Sequence, residues 1–434
     1  MKILIIGSGG REHAIAWTIK HTSPVAVEVF CATGNAGIAE VATLVPISVS
    51  DHEGLAQFAA DRGIDLTFIG PEVPLAAGIV DLFESKRLGI VGPNSAAARL
   101  EASKVFAKDF MARNGVPTAA YAVADTPSGA LDLLQSGQFG SRESSVVVKA
   151  DGLAAGKGVV VASSRREAEK AITDLMVDHQ VGARAASRIV LEETLTGPEA
   201  SILLFSDGKD YALMPAARDH KRIGEGDTGP NTGGMGSITD NSIIDDATLQ
   251  NVVRTMIEPT LLGAQREGFP FKGILFLGLM LTPDGTKLLE YNVRFGDPET
   301  QAILVRLQTD LVSIFQAIQN TELGKLRLEW KEGSSACVVA ANRGYPGKHE
   351  QGEIIEGLDE VDPSKVQIFH AGTALSDDGK VLATGGRVLG ITSAAPELSD
   401  ALKYCYEALE IVHWPGVQFR KDIGRTRFAS GNNG

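Results

Sequence analysis

Residues 149–162 read KADGLAAGKGVVVA, and this stretch decides between two ways in which a chain can hold a phosphate. A P-loop needs the spacing G-x-x-x-x-G-K-[ST] and joins a strand to a helix. Here only three residues separate Gly152 from Gly156, and Lys157 is followed by glycine instead of serine or threonine. A run of valines then continues where a helix should begin. The stretch is therefore not a P-loop.

Valine runs stand on both sides of the same stretch, which predicts a β-hairpin with its tip at 151–158. Glycines at the tip let the backbone lie close over a ligand. Lys149 and Lys157 supply positive charge for phosphate groups. The pattern therefore predicts a hairpin lid over a triphosphate, although any hairpin with two lysines would have a similar sequence.

The composition is that of a globular protein with several cores. The chain has 434 residues, 44% of them hydrophobic and 22% charged, and a formal net charge of -13. At about 100–200 residues per domain, two to four domains are expected. The negative charge disfavours nucleic acid as a partner. The three cysteines are far apart, which argues against disulfides and favours the reducing cytoplasm.

No segment predicts a membrane anchor or a leader. The apolar run at the N-terminus is too short for a signal peptide. The most apolar stretch, 273–281, is shorter than the roughly 18–20 residues of a membrane span and predicts a buried strand. We therefore expect a cytoplasmic protein with no membrane partner.

Residues 1 to about 100 alternate short apolar runs with helical patterns, which predicts parallel β-α-β units. The turn Gly7-Ser8-Gly9-Gly10 follows the first run, where free N–H groups and a helix dipole favour an anion. A dinucleotide is disfavoured because Glu12 stands where the third glycine belongs and no acidic residue ends the second strand. A phosphate of a smaller ligand and a turn without a ligand remain as alternatives.

Beyond residue 94 the chain predicts at least two further units. Asn94 is a candidate helix N-cap, and the helical pattern after it closes at Asn114-Gly115. Two apolar strands meet at Pro283-Asp284-Gly285, a hairpin signal. A polar stretch with six glycines between Gly224 and Gly236 predicts a loop that binds an anion or covers a site, or else an unstructured surface loop. The last hundred residues predict a third unit packed on the second.

The strand after this hairpin carries the strongest candidates for chemistry. Glu290, Asn292 and Arg294 alternate with apolar residues, so their side chains share one face. A carboxylate and an amide oxygen are ligands for magnesium or manganese, and an adjacent arginine can clamp a phosphoryl group. The alternative is a solvated strand face with a salt bridge, but the apolar opposite face and the following Gly-Asp-Pro turn favour a site.

Three carboxylates surround a Thr-Gly-Pro turn in the strand IVLEETLTGPEA: Glu192, Glu193 and Glu199. Such a strand edge can bind adenine through its backbone, and a later carboxylate can accept ribose hydroxyls. A surface loop is the alternative from these residues alone.

Taken together, several motifs identify a family. They are GSGGREHA, GNAG, GPEVPL, KADGLAAGKGV, EETLTGPEAS, DHKR followed by GDTGPNTGGMG, NVRFGDPETQ, GYPG, FHAGT, GGRVL and RKDIG. Through them the chain resembles, nearly end to end, the glycinamide ribonucleotide synthetases (phosphoribosylamine–glycine ligases) of the ATP-grasp superfamily. The combination of DHKR, GDTGPNTGGMG and RFGDPETQ is highly specific to that family.

The resemblance implies an α/β and α+β multidomain fold. It consists of a parallel β-α-β pre-ATP-grasp domain over 1–103, a two-lobed ATP-grasp domain over 104–325 with a mobile lid at about 121–192, and a small C-terminal mixed α/β domain over 326–434. It also implies ligation of glycine to 5-phosphoribosylamine with ATP through a glycyl phosphate, in purine biosynthesis. ATP and Mg²⁺ or Mn²⁺ are the implied co-substrate and metal, and a monomer is expected, with a dimer as the alternative.

The resemblance also implies a role for individual residues. ATP would be bound by Lys104, Lys149, Lys157, Glu192, Glu193, Leu195 and Glu199. The metal would be bound by Glu290 and Asn292, together with phosphates and water, because the preceding strand reads Gly278-Leu279-Met280 where many ATP-grasp relatives carry another acidic ligand. Phosphoribosylamine would be held by Gly9, Gly10, Arg11 and Asn35. Glycine and the reacting phosphate would be held by Asp219, Arg294, Gly296 and Asp297, with Arg294, Lys157 and Asp219 in catalysis.

Three alternative functions remain. Two belong to other functional classes, and the third is a ligase with another substrate. A nicotinamide-dependent reductase is disfavoured by Glu12. A phosphosugar sensor without turnover is disfavoured by the presence of Lys157, Glu290, Asn292 and Arg294. An ATP-grasp ligase for another acid or amine would be distinguished by assaying ADP release with a panel of substrates.

Overall fold

The protein is described from a computed structural model, which covers residues 1–141, 143–154 and 157–425. Ala155 and Gly156, at the tip of the hairpin discussed above, lie outside the described residues. Within these ranges, no helix combines the length and apolar character that crossing a membrane requires.

The N-terminal unit is a parallel sheet with helices on both sides. Its strands are β1 (Lys2–Gly7), β2 (Glu28–Thr33), β3 (Thr43–Leu44), β4 (Leu66–Ile69) and β5 (Ile90–Val91), and its helices are α1 (Gly10–Thr22), α2 (Ile38–Val41), α3 (His52–Arg62), α4 (Glu72–Ala76) and α5 (Ile79–Ser85). The order β3-β2-β1-β4-β5 is parallel throughout, which confirms the β-α-β prediction. The strand order reverses between β1 and β4, where open α/β sheets bind ligands.

Two helices connect this unit to the next, α6 (Ser95–Ala102) and α7 (Lys104–Arg113). Asn94 caps α6 by accepting the Ala97 N–H at 3.0 Å, as its sequence predicts. The helical pattern is nevertheless interrupted at Ser103, whose hydroxyl caps a new helix by accepting the Phe106 N–H at 3.1 Å. This break places Lys104 at the start of α7.

The segment predicted to be a lid, which keeps that name below, is a small antiparallel sheet with its own core. It contains β6 (Tyr121–Ala124), α8 (Pro127–Gln135), β7 (Val146–Ala150), β8 (Val159–Ala162), α9 (Arg165–Ile172) with a π-helical turn (Thr173–Val177), and β9 (Ile189–Glu193), in the strand order β6-β9-β7-β8. β7 and β8 pair antiparallel from Val146 opposite Ala162 to Lys149 opposite Val159. The predicted hairpin is therefore confirmed.

The next segment contains much of a second sheet, which is large and antiparallel, and a separate two-stranded hairpin. Its elements up to the predicted third unit are β10 (Glu199–Asp207), β11 (Tyr211–Leu213), β12 (Ala217–Asp219), β13 (Arg222–Gly224), β14 (Thr228–Asn231), β15 (Gly236–Thr239), α10 (Asp246–Val252), a π-helical turn (Val253–Ile257), α11 (Glu258–Arg266), β16 (Lys272–Thr282), β17 (Gly285–Asn292), α12 (Glu299–Leu304), α13 (Leu311–Asn320) and a 3-10 turn (Leu323–Lys325). β16 and β17 form the hairpin predicted at Pro283-Asp284-Gly285.

The C-terminal unit continues this sheet and also contains a separate three-stranded sheet. It comprises β18 (Ser334–Asn342), β19 (Glu353–Ile354), a 3-10 turn (Leu358–Glu360), β20 (Gln367–His370), β21 (Thr373–Leu375), β22 (Val381–Ala383), β23 (Arg387–Ala395), α14 (Leu398–Ile411) and β24 (Val417–Gln418). β15 pairs with β18, which gives the order β17-β16-β10-β12-β15-β18-β23-β20. The strands before and after residue 325 are thereby joined in one sheet.

The glycine-rich stretch at 224–236 is partly ordered, which corrects its prediction as a loop. β13 and β14 pair as a hairpin. The C-terminal segment fastens this hairpin, since the buried Arg420 donates to the Asp227 carboxylate at 2.7 Å and the Asp422 carboxylate accepts the Gly226 N–H at 2.7 Å. The sequence pattern missed this order because both partners lie almost 200 residues away.

Candidate active site

Both β9 of the lid sheet and β17 of the large sheet contact α7, and the charges of Lys149 and Lys104 act on Glu290, so the two sheets flank one site, called the cleft below. The chain crosses between the two sheets at 194–198. On the lid side, Glu193 accepts the Ala120 N–H through Oε1 at 2.8 Å. On the other side, Glu199 binds Lys221 Nζ at 2.6 Å. Gly197 has φ 152° and packs on the Leu281 carbonyl, so a side chain here would be strained and would clash. Leu195, in this crossover, is half-buried.

Two lysines share one carboxylate at the base of the cleft. Lys149 Nζ lies 3.0 Å and Lys108 Nζ 3.1 Å from Oε2 of Glu192. Lys108 also donates to Thr118 Oγ1 at 2.7 Å. The exposed fractions are 6%, 2% and 1% for Lys149, Lys108 and Glu192. Burial and the neighbouring Lys149 lower the pKa of Lys108 to about 8. The cluster carries one net positive charge when both lysines are protonated, which suits an anionic ligand.

Asp151 fastens the lid hairpin to the start of α7. Its Oδ1 accepts the Val105 N–H at 2.9 Å and the Ser103 hydroxyl at 2.7 Å, and its Oδ2 accepts Arg188 Nη2 at 2.7 Å. Lys104 donates its backbone N–H to the Asp151 carbonyl at 2.9 Å. Asp151 therefore anchors the lid beside Lys104, whereas its sequence placed it in an open hairpin tip. Lys157 is exposed on the far side of that tip.

Glu290, Asn292 and Arg294 line one face of the strand, as predicted. Tyr291, Val293 and Phe295 are buried on the opposite face. Arg294 Nη2 donates to Asn292 Oδ1 at 3.0 Å. The residue opposite Glu290 in β16 is Gly278, so no acidic side chain stands there. Within the described ranges, no group of three or more histidine, cysteine, aspartate or glutamate side chains could hold a metal.

The Glu290 carboxylate lies in a positive field. Burial raises its pKa, but Lys221, Lys149, Lys104 and Arg294 outweigh burial and hold the pKa below its ordinary value. An ionised carboxylate and an amide oxygen on one face are hard ligands of the kind that Mg²⁺ takes alongside phosphate oxygens and water. The residues therefore fit a divalent cation.

Arg294 is clamped between two glutamates from preceding elements. Its Nη2 lies 3.0 Å from Glu101 Oε1, and its Nε lies 3.4 Å from Glu72 Oε2. That second contact is an ion pair without a hydrogen bond, since Nε is buried and makes none. Burial would lower the pKa of Arg294, but the two glutamates raise it. A permanently charged guanidinium with an unused N–H is suited to binding an anion.

The turn at the end of β1 is filled by its own chain. Glu12 accepts the Gly9 N–H at 2.6 Å and Arg11 Nε at 2.6 Å, and a Cβ on Gly7 would lie 2.6 Å from its side chain. Arg11 also donates to the Phe295 carbonyl at 3.0 Å. Glu12 thus occupies the space that a third glycine would leave for a pyrophosphate, which explains why the dinucleotide pattern fails.

The C-terminal unit closes this turn from above. Asn35 donates to the Ser8 and His370 carbonyls at 2.8 and 2.7 Å and accepts the Ile38 N–H at 2.9 Å, so its amide already fastens the two units together. A Cβ on Gly10 would lie 2.6 Å from Nε2 of Gln301. Gly10 therefore faces α12 and, through Ala371, the C-terminal unit, whereas Gly9 faces Asp297.

Arg387 joins the glycine-rich stretch to the Gly-Asp-Pro turn. Its Nη2 donates to Asp297 Oδ2 at 3.0 Å, and its Nη1 donates to the Asp297 and Gly233 carbonyls, each at 2.7 Å. Burial raises the pKa of Asp297, but Arg387 and Arg11 outweigh it and keep that pKa below its ordinary value. Tyr345 accepts the Gly233 N–H at 2.9 Å. Two residues of the C-terminal unit thus hold the glycine-rich stretch against the Gly-Asp-Pro turn.

Some of these residues were not found from the sequence: Lys108, Glu101 and Arg387. Lys108 follows Lys104 by one helical turn, and this spacing is a signal that could have indicated a shared face. Glu101 and Arg387 reach the site only through long-range packing.

Comparison with known proteins identifies one and the same family over nearly the whole chain. The family profiles of phosphoribosylglycinamide synthetase match three segments, the N domain at residues 1–101, the ATP-grasp (A) domain at 102–300 and the C domain at 335–426. A phosphoribosylamine–glycine ligase of Brucella melitensis is 46% identical over 426 residues, covering 98% of this chain and 97% of the relative.

Solved structures agree. A phosphoribosylamine–glycine ligase of Thermotoga maritima has a TM-score of 0.83 and 34% sequence identity, covering 97% of this chain and 100% of its own. A biotin carboxylase–β,γ-ATP complex from Campylobacter jejuni has a TM-score of 0.73 at 16% identity, covering 96% and 92% of the two chains. The second likeness shows a shared fold.

Proposed function

The chain belongs to the phosphoribosylglycinamide synthetase family, and we propose from its geometry how its residues divide the work of a phosphoribosylamine–glycine ligase. Such an enzyme joins glycine to 5-phosphoribosylamine in purine biosynthesis and converts ATP to ADP and phosphate. The observation that carries the assignment of roles is the convergence of Glu290, Arg294 and several lysines on one cleft between two antiparallel sheets.

ATP lies between the two sheets in this proposal. The crossover at 194–198 offers backbone groups to the adenine edge beside Glu193 and Leu195, and Glu199 accepts ribose hydroxyls. The cluster of Lys108, Glu192 and Lys149 presents its net positive charge to the phosphates. Lys104 and the hairpin residue Lys157 approach the same phosphates from the two sides. The hairpin acts as a lid that excludes water when it closes.

Glu290 and Asn292 would hold Mg²⁺ or Mn²⁺ against the phosphates. When bound, the cation would neutralise charge on the phosphoryl oxygens. Arg294 adds a fixed guanidinium on the same strand face, and Glu101 and Glu72 hold that guanidinium in place. Its orientation is therefore set before any substrate arrives, so no reorganisation is needed during phosphoryl transfer.

The glycine carboxylate attacks the γ-phosphate, and an acyl phosphate forms with release of ADP. Gly296 and Asp297 shape the turn that receives glycine, and Asp219 faces it from β12. The amine of phosphoribosylamine then displaces phosphate from the acyl carbon. Phosphoribosylamine lies beside the Gly9–Gly10 turn, outside the space that Glu12 fills, and Arg11 and Asn35 hold that turn in place. The glycine-rich stretch, fastened by Arg387, keeps water from the acyl phosphate.

We further expect this enzyme to act in the cytoplasm on small molecules, as a monomer and without nucleic acid. The formal net charge of -13 supports the last point. Gel filtration with light scattering tests the oligomeric state.

The experiment that tests the function is ADP release by the purified protein with ATP, Mg²⁺ and 5-phosphoribosylamine, using a panel of amino acids. We expect release only with glycine, together with formation of glycinamide ribonucleotide. Equal release with alanine or serine, or with another amine in place of phosphoribosylamine, would contradict the assignment.

A further inference from the structure

Three side chains that can accept hydrogen bonds, but receive none from another residue, lie on the face of the large sheet that α12 covers. This group consists of the carboxylates of Asp219 and Glu299 and the hydroxyl of Ser237. Ser237 is 0% exposed, and its Oγ has no hydrogen-bond partner. Among the described residues, no donor from another residue is bonded to either carboxylate. Buried polar groups are almost always satisfied, so the unpartnered Ser237 hydroxyl, beside a buried and a half-buried carboxylate that also lack a donor from another residue, indicates a place where a ligand binds.

The strand register places two of these side chains together. Asp219 pairs with Ser237, and Ser237 pairs with Cys337 on its other side. Directly opposite residues of antiparallel strands project to the same face. Cys337 packs against Ala302 of α12, which identifies that face as the one that α12 covers. Asp219 and Ser237 therefore point toward α12.

Glu299 begins α12 and is 5% exposed. Its carboxylate folds back over Gly296, where an added Cβ would clash with Oε2. The nearest cations are engaged elsewhere. Lys221 Nζ binds Glu199 at 2.6 Å, and Arg294 is held by Glu101 at 3.0 Å.

The pKa values of the two carboxylates agree with a site that binds a cation. Burial and then Asp219 raise the pKa of Glu299 to about 8. Burial raises the pKa of Asp219 to about 6, with Glu199 adding to this and Lys221 opposing it. Two carboxylates that lack a bound cation in a dry site behave in this way.

We propose that Glu299, together with Asp219 and Ser237, binds the α-ammonium group of the amino acid substrate. An ammonium has three N–H donors and no acceptor, which matches three acceptors that have no donor. Arg294, next to this group, is then left for the carboxylate and phosphoryl end of the same substrate. A divalent metal fits less well, because no set of three acidic, histidine or cysteine side chains occurs in the described residues and the third group here is a neutral hydroxyl.

The inference rests on the ligase function, and its test separates the two. The variant Glu299→Gln keeps the size of the side chain and removes its charge. We expect the KM for glycine to rise at least about tenfold, since a charge-assisted hydrogen bond is worth about 1.5–3 kcal/mol, which is about 10- to 150-fold. The KM for ATP should stay within about twofold, because neither the cleft lysines nor Glu290 is altered.

Glycolate provides the diagnostic comparison because it keeps the carboxylate of glycine and lacks its ammonium. As a competitive inhibitor against glycine, it should bind Glu299→Gln as well as the wild-type enzyme or better. Equal weakening of glycine and glycolate would show that Glu299 only supports the fold and would overturn the proposal. An unchanged glycine KM would overturn it too.

Two further variants keep the test decisive if Glu299→Gln folds poorly. Ser237→Ala removes one acceptor without changing charge, and it should raise the glycine KM about fivefold while leaving the glycolate inhibition constant unchanged. Glu332→Gln, at an exposed glutamate far from the cleft, is the matched control and should change neither constant. If the wild-type protein releases no ADP with glycine, the ligase function itself fails. If it does so and Ser237→Ala binds glycine normally, only the ammonium site fails.

Discussion

The buried cluster of Lys108, Glu192 and Lys149 predicts that Lys108 contributes to ATP binding without contacting ATP. With both lysines protonated the cluster has one net positive charge. The substitution Lys108→Met keeps the length and apolar character of the side chain and removes its ammonium group. Glu192 and Lys149 then form a neutral pair, and the phosphates lose their attraction to this part of the cleft.

The distances set the size of the effect. Both ammonium groups lie within 3.1 Å of Glu192 Oε2, so they are at most about 6 Å apart. A phosphate oxygen in contact with Lys149 would therefore lie about 8 Å from Lys108, where a unit charge contributes about 2 kcal/mol at an effective dielectric constant of 20. We expect the KM for ATP to rise about 30-fold.

The fold should tolerate this change. Burial and Lys149 lower the pKa of Lys108 to about 8, so the protonated lysine is held at a cost in the folded protein. Methionine removes that cost together with the ion pair and the hydrogen bond to Thr118. The free energy of unfolding at pH 7 should therefore change by less than about 1–2 kcal/mol.

Steady-state ADP release against ATP concentration measures the effect, and the double variant Lys108→Met/Glu192→Gln tests its cause. The double variant restores one net positive charge through Lys149, so its ATP KM should recover most of the loss. The exposed Lys170→Met is the matched control. An unchanged ATP KM in Lys108→Met, or a double variant no better than the single one, would refute the argument from charge.

Three further predictions concern the metal ligands, the lid and acid stability. Glu290→Ala should abolish Mg²⁺-dependent ADP release and leave the circular dichroism spectrum unchanged. The control Asp284→Ala, at the exposed tip of the same hairpin, should retain activity. Near-normal turnover of Glu290→Ala would contradict the metal assignment. Asp151→Ala removes the acceptor of the Val105 N–H, so hydrogen exchange of the Val105 amide should become faster. The KM for ATP should increase about tenfold. An unchanged exchange rate would show that Asp151 does not anchor the lid. Burial lowers the pKa of His220 to about 4. As the pH falls below about 6.5, His220 is protonated in the unfolded chain but still neutral in the folded protein. The free energy of unfolding therefore decreases between about pH 6.5 and pH 4. At pH 5 the free energy of unfolding is lower by about 2 kcal/mol because of this group. The variant His220→Gln can still accept the Gly424 N–H and should lose that part of the pH dependence in urea denaturation. Identical pH profiles of the variant and the wild-type protein would contradict this prediction.

The local hydrophobic pattern was sufficient to predict strands that are buried on both faces and strands whose two faces alternate in environment. The parallel strands of the N-terminal unit are continuous apolar runs because helices cover both faces. Glu290, Asn292 and Arg294 were placed on one face because a strand alternates with a period of two. The resemblance then assigned chemistry to a face that periodicity had already found.

Order at 224–236 could not be derived in this way. A sequence rich in glycine and polar residues has no apolar face to bury, and its composition therefore indicates a loop. The hairpin forms because Arg420 and Asp422 supply partners from the other end of the chain. Contacts of such long range leave no periodic signal in either segment.

Lys108 and Glu299 were missed for a different reason. Each stands in a helical segment, where a charged residue normally indicates the face exposed to solvent. Both are instead almost fully buried, and both belong to groups whose charges do not balance within the protein: an excess cation at Lys108 and excess anions at Glu299. An isolated charge is costly in a protein interior unless something pairs with it. The two groups, each close enough to Glu290 for its charge to act on them, have imbalances of opposite sign. These imbalances predict the polarity of what binds there, phosphates against the lysines and an ammonium against the carboxylates.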